Sequence, residues 1–174
     1  YKGANTYNIN SCDTIEVFYN LRTDLDKLNS AIEITKIVRD VTDENENCYK
    51  ILQMLLNTLY TLSETDKNID LVISTFKIKL LCFLGFSPMI TECVNCKKKS
   101  NLKYFSIKND GFKCESCGKL DKGAISISES TISAIRYIVM TPAKKLYSFS
   151  LKDESLNELK LVSKLYFDDK LEKY

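Results

Sequence analysis

Two cysteine pairs, Cys93-Val-Asn-Cys96 and Cys114-Glu-Ser-Cys117, stand 17 residues apart, within the spacing of a four-thiolate metal site. Two residues between the cysteines of a pair let one tight turn aim both sulfurs at a single ion. The stretch between the pairs is long enough to run out as one strand and return as another. A metal held in this way replaces the hydrophobic core that so short a loop cannot build. The intervening residues read as a β-hairpin. Leu102, Tyr104, Phe105 and Ile107 precede a turn at Asn109-Asp110-Gly111, and Phe112 opens the return; Asp-Gly between apolar runs is a strong hairpin signal.

Other uses of the pairs fit less well. A disulfide framework calls for an even cysteine count in a secreted chain, whereas there are seven cysteines in a lysine-rich sequence with no signal-peptide pattern. A redox CxxC needs only one pair. A catalytic zinc site keeps a position for water and often recruits histidine, but the sequence has no histidine and offers four thiolates. One structural, coordinatively saturated Zn2+ on Cys93, Cys96, Cys114 and Cys117 is therefore expected. Cys12, Cys48 and Cys82 lie among apolar neighbours and read as small core residues.

The 174 residues fit one domain, or one domain with a small appendage, and 44% hydrophobic content suffices for a buried core. No apolar run approaches the roughly 18 residues of a membrane span; the most hydrophobic stretch, from Ile78 to Phe86, is broken by Lys79 and Gly85. A soluble, intracellular protein is expected. Tyr1 in place of an initiator methionine, followed by strand-like Thr6-Tyr7-Asn8-Ile9, suggests a chain that starts partway through a longer one.

Between Cys93 and Lys122, eight lysines (97, 98, 99, 103, 108, 113, 119 and 122) face three acids (Asp110, Glu115 and Asp121), a local charge of +5 that leaves −3 for the rest of a chain of net +2. A zinc ion with four thiolates contributes about −2, and the region stays basic. Lys97, Lys98, Lys99 and Lys103 are candidates for phosphate contacts, where point charges displace counterions without reading sequence. A solvated loop whose lysines only keep the hairpin soluble is the competing reading.

Elsewhere helical periodicity dominates. Leu21, Leu25, Leu28, Ile32, Thr35, Val38 and Val41 predict an amphipathic helix over 21–42, its start boxed by Thr23 and Asp26. After the acidic turn Asp43-Glu44-Asn45, a second follows through Cys48, Ile51, Leu52, Leu55, Leu59 and Leu62 and closes near Ser63. A third, from Ile69 to Leu84, is apolar on most faces through Ile73, Phe76, Leu80, Leu81 and Phe83, so it reads as the central helix of a bundle, stopped by Gly85 and Pro88. Ser128 caps a fourth with Ile132, Ile135, Ile138 and Val139, ending at Thr141-Pro142. A fifth after Ser150 carries Leu156, Leu159, Val162 and Tyr166 on one face. The prediction is a mainly α protein, a helical bundle with a four-cysteine zinc β-hairpin module inserted at about 91–122 and an extended N-terminal segment.

Enzymatic readings lack the groups they need. Without histidine there is no imidazole base, and neither a glycine-rich phosphate loop nor a dinucleotide fingerprint occurs among five glycines. Asp168 and Asp169 lie on a charged helix end, where solvation explains them. The sequence reads as that of a binding protein.

Leu21-Arg22-Thr23-Asp24-Leu25-Asp26-Lys27-Leu28, then Leu84-Gly85-Phe86-Ser87-Pro88 leading into Cys93-Val94-Asn95-Cys96, then Tyr104-Phe105-Ser106 before Gly111-Phe112-Lys113-Cys114, together resemble the bacterial RecO family of recombination mediators over nearly the whole chain. The chain departs from the family pattern in carrying Lys97 where glycine is common after the first pair, and in having no histidine in its last helix. The resemblance implies an OB-fold before a helical domain with an inserted zinc module. Residues 1–19 would then be the closing strand of that OB-fold, and 20–174 the helical domain. It also implies a non-enzymatic protein of the bacterial cytoplasm and nucleoid. Such a protein binds single- and double-stranded DNA, anneals strands, contacts the C-terminal tail of single-stranded DNA-binding protein and acts with RecR to load RecA, with no membrane or small-molecule substrate involved. Two other classes remain open, a zinc-ribbon module with little helix and an architectural protein–protein adaptor.

Overall fold

The computed structural model describes residues 9–42 and 47–171. Strand-like Thr6-Tyr7-Asn8 and the acidic turn Asp43-Glu44-Asn45 lie outside them. Residues 9–17 form neither helix nor strand, and Tyr19–Arg22 is a 3-10 turn. Six α-helices follow in chain order: α1 (Leu25–Val41), α2 (Tyr49–Glu64), α3 (Ile69–Phe83), the short α4 (Glu115–Lys119), α5 (Glu129–Met140) and α6 (Asp153–Leu171). Strands β1 (Leu102–Ser106), β2 (Gly111–Cys114) and β3 (Ala124–Ser126) lie around α4.

Helix α3 is the hub, in contact with α1, α2, α5 and α6. Its length is set at both ends by local chemistry. Asn68 Oδ1 accepts from the N–H groups of Asp70 and Leu71, an N-cap that satisfies two otherwise unpaired donors. At the other end Phe86 N–H donates to Leu81 O at 2.8 Å and Gly85 N–H to Cys82 O at 3.4 Å. This is a Schellman closure that needs left-handed backbone, and Gly85 supplies it with φ 92°. Between the caps, Leu71, Val72, Phe76, Ile78, Leu80 and Leu81 are buried. Lys79 is buried with them and donates to Val139 O at 2.9 Å, tying α3 to a free carbonyl in the last turn of α5; burial pulls its pKa down.

Helices α5 and α6 bear out the predicted faces, with Ile132, Ile135, Ile138, Leu156, Leu159, Val162 and Tyr166 all buried. Ser128 caps α5 through Thr131 N–H. A clamp joins the two helices: Glu158 of α6 accepts from Ser128 N–H (2.8 Å), Ser128 Oγ (2.7 Å) and Thr131 Oγ1 (2.5 Å). Burial opposes the Glu158 charge, but these donors hold its pKa below the usual carboxylate value.

Three expectations for the first helices are corrected. The capping box does not form; Asp24 is the cap, accepting from the N–H groups of Asp26 and Lys27, while Thr23 Oγ1 donates to Asn20 O, so α1 starts at Leu25. The buried face of α1 is Ala31, Ile34 and Val41, whereas Leu25 is 71% exposed and Ile32 also faces solvent. Leu52 of α2 is exposed, its place taken by Met54 and Thr58. Both helices carry apolar residues on more than one face, and the neighbours decide which face is covered.

Cys12, Cys48 and Cys82 are likewise not core residues. Cys12 is exposed on an irregular segment, Cys48 is half-buried at the start of α2, and Cys82 is half-buried on the flank of α3, where burial pushes its thiol pKa up.

The region between the cysteine pairs is a three-stranded antiparallel sheet in the order β2-β1-β3. The hairpin is as predicted in kind, with Phe105 opposite Phe112 and Ser106 opposite Gly111, but Ile107 belongs to the turn. Strand β3, pairing Phe105 with Ile125, carries the sheet beyond 122. The sheet is packed on the bundle: Phe105 stands edge-on to Phe112 and to Tyr166 of α6, at 6.0 and 5.3 Å between centroids. Arg136 of α5 donates to Ile90 O at 3.0 Å and lies over the Phe112 ring. Lys170 of α6, itself buried, pairs with Asp110 of the hairpin turn and with Asp169 at 3.2 Å.

Candidate metal centre and lysine face

The four predicted cysteines converge: their sulfurs all lie within 4.8 Å of one another. Zinc–sulfur bonds of about 2.3 Å in a tetrahedron put sulfurs about 3.8 Å apart, so the cage is of the right size. Four soft sulfur donors with no place left for water suit a closed structural zinc site rather than a catalytic one.

Each pair is aimed by its backbone. In the first, Lys97 N–H donates to Cys93 O at 2.9 Å and Cys93 N–H to Lys98 O at 2.8 Å, while Val94 N–H reaches Phe112 O on β2. In the second, Cys114 ends β2 and precedes α4, whose first turn carries Cys117. Cys93 and Cys114 are buried, Cys117 is half-buried and Cys96 is exposed. Burial opposes ionisation of Cys93, but hydrogen bonds from the backbone of Cys114, Cys96 and Asn95 outweigh it and bring the thiol to about 6. One thiolate in so small a cage raises the cost of the next, and Cys117 is pushed up to about 12, chiefly by its hydrogen bonds to Cys114 and Cys96. A bound cation removes that conflict. Gly118 in α4 is required by packing, because a β-carbon there would lie 2.2 Å from the Tyr104 ring.

Lys97 closes the first knuckle with φ 64°, a left-handed conformation in which a β-carbon crowds the backbone. Lys97→Gly is expected to raise stability by about 0.5–1 kcal/mol, measured as a higher denaturant midpoint of the metal-loaded protein. The Lys97–Glu92 pair at 3.4 Å, in which the lysine is exposed and the glutamate half-buried, contributes little against it. A lower midpoint would rule out relief of backbone strain as the dominant effect.

The eight lysines do not form one free basic tip. Lys97, Lys98, Lys99, Lys108 and Lys122 are exposed. Lys113 is 3% exposed and pairs at 2.7 Å with Asp121, whose carboxyl is held at about 2, first by Lys113 and then by Ser106. Lys103 and Lys119 both reach Glu115, at 3.0 and 2.8 Å; hydrogen bonds from Lys119, Lys103 and Asn101, in that order, bring its carboxyl to about 2. Sequence reasoning gave no role to Asn101 or Glu115; the i,i+4 spacing of Glu115 and Lys119 is a local signal, whereas the 12 and 14 residues that separate Lys103 and Asn101 from Glu115 carry none.

A family model for the C-terminal part of recombination protein O matches residues 22–174. A DNA repair protein RecO from Acetivibrio thermocellus is 40% identical over 174 residues, covering 99% of this chain and 69% of its own length. Those from Alkaliphilus metalliredigens and Caldicellulosiruptor bescii are 30% and 31% identical, covering 91% and 99% of this chain and 66% and 70% of their own lengths. The chain thus spans about two thirds of the length of these relatives. A helical bundle that carries a four-cysteine module, matched over 22–174, belongs to the recombination protein O family.

Proposed function

We propose that this chain serves DNA repair as a non-enzymatic recombination mediator. It binds single- and double-stranded DNA, promotes annealing, takes the C-terminal tail of single-stranded DNA-binding protein as a partner and works with RecR to load RecA. The match over residues 22–174 to a family of DNA repair proteins carries this reading. Zinc on Cys93, Cys96, Cys114 and Cys117 is structural: it ties the loop of the first pair to the end of β2 and to α4 and takes no part in chemistry. Residues 1–19, irregular over 9–18 in this chain by itself, are read as the segment that closes an OB-fold as its last strand, and 20–174 as the helical domain with its inserted module. No helix among the described residues is long and apolar enough to cross a membrane, in keeping with a place in the bacterial cytoplasm beside the nucleoid. A zinc ribbon with little helix is disfavoured by the bundle itself.

On this reading Lys97, Lys98, Lys99 and Lys103 contact phosphates. Replacing all four with glutamine is expected to weaken binding about equally across DNA sequences and to flatten its salt dependence, since each lost single-strand contact removes about 0.7 from the log–log slope. Titration of labelled single strands at low and high salt reads both effects. Binding like the parent's at both would place function in the helical grooves, where titration with the C-terminal peptide of single-stranded DNA-binding protein tests the partner.

A further inference from the structure

Within the lysine face one carboxylate occupies the position of an anion. Glu115 Oε1 accepts from Lys119 Nζ at 2.8 Å, and Oε2 accepts from Lys103 Nζ at 3.0 Å and from Asn101 Nδ2 at 3.3 Å. The donors come from three places in the fold: the loop before β1, β1 itself, and α4. Asn101 has left-handed backbone, φ 54°, and its carbonyl accepts from Glu115 N–H at 3.2 Å, so the backbone fixes donor and acceptor in one frame. Two ammonium groups and an amide facing two oxygens of one negative charge is also the layout that would receive the non-bridging oxygens of a phosphodiester. The lysine side chains are 53% and 63% exposed, and ion pairs this open hold weakly, so a carboxylate here can be exchanged for another anion at small cost.

We propose that Glu115 is an internal stand-in for a DNA phosphate: Lys103, Lys119 and Asn101 form a subsite for one backbone phosphodiester, closed by Glu115 until nucleic acid displaces it. The proposal rests on the reading of the lysine face as a DNA-binding surface, and it adds Asn101 and Lys119 to that surface. It also makes Glu115 a brake on affinity.

The test uses the metal-loaded chain and labelled oligothymidylate, with Glu115→Gln, the pair Lys103→Gln/Lys119→Gln, and all three together. One additional single-strand phosphate contact steepens the log–log salt slope by about 0.7, worth about 5-fold in affinity near 0.1 M salt. Glu115→Gln is expected to show that tightening and that steeper slope. In the Lys103→Gln/Lys119→Gln background it is expected to change nothing, because the donors it would free are gone. Tightening that persists in that background is general loss of negative charge, and it overturns the proposal, as does the absence of tightening in Glu115→Gln alone. Zinc content and melting midpoint confirm that each variant is folded; if Glu115→Gln loses metal, Glu115→Ser provides the same test. If the four-lysine variant weakens binding while Glu115 replacement has no effect, the proposal falls and the DNA-binding reading stands. If the four-lysine variant binds like the parent, both fall.

Discussion

Elemental analysis of the purified protein is expected to find about one zinc per chain, and Cys114→Ser is expected to unfold the sheet of residues 102–126. The expected loss is large. Structural zinc sites supply of the order of 10 kcal/mol of apparent binding free energy, and without metal that contribution to folding is gone. Cys114 is the most exposing choice because it ends β2 and precedes α4, so its loss disturbs strand, helix and cage together. The sheet cannot compensate from its own core. Phe105 and Phe112 are its fully buried large side chains, and both face the bundle. Hydrogen exchange should show protection lost first across β1 and β2, with α3 retained. A folded, fully reduced protein without metal would sink the assignment.

Phe105→Ala is expected to cost about 3–5 kcal/mol, the range for removing a buried phenylalanine from a packed core. Phe105 is 1% exposed and stands edge-on to both Phe112 and Tyr166. The ring therefore fills the joint between sheet and α6, and its removal leaves a cavity that Tyr166 cannot close, because its hydroxyl is tied to Phe86 O at 3.0 Å. Denaturant unfolding measures the loss. A cost under about 1 kcal/mol would mean that the site collapses freely, and that the sheet is held to the bundle by the Arg136 and Lys170 contacts instead.

How much of this was legible in the sequence depended on how local each signal is. The cysteine spacing brought Cys93, Cys96, Cys114 and Cys117 to one point because each pair needs a single turn and the stretch between needs a single hairpin. Helix ends are legible where one residue type does the work: the left-handed φ of Gly85 closes α3 as its type requires. The burial of α3 could be read because it is apolar on most faces, and the faces of α5 and α6 because each carries one dominant buried set. For α1 and α2 the sequence left more than one apolar face, and the register against α3 chose among them.

The lysines show the same division. The sequence by itself determined a basic stretch around the cysteine pairs, a hairpin between them and helices on either side, since composition, turn chemistry and periodicity are properties of neighbouring residues. Only the tertiary structure decided that Lys113 is buried against Asp121, that Lys103 and Lys119 share Glu115, that Ala124–Ser126 adds a third strand, and that Lys170 reaches Asp110 across 60 positions of chain. Charges pair and strands align by distance in space. Distance in space between residues far apart in sequence is set by how the helices and the sheet pack, not by local sequence pattern.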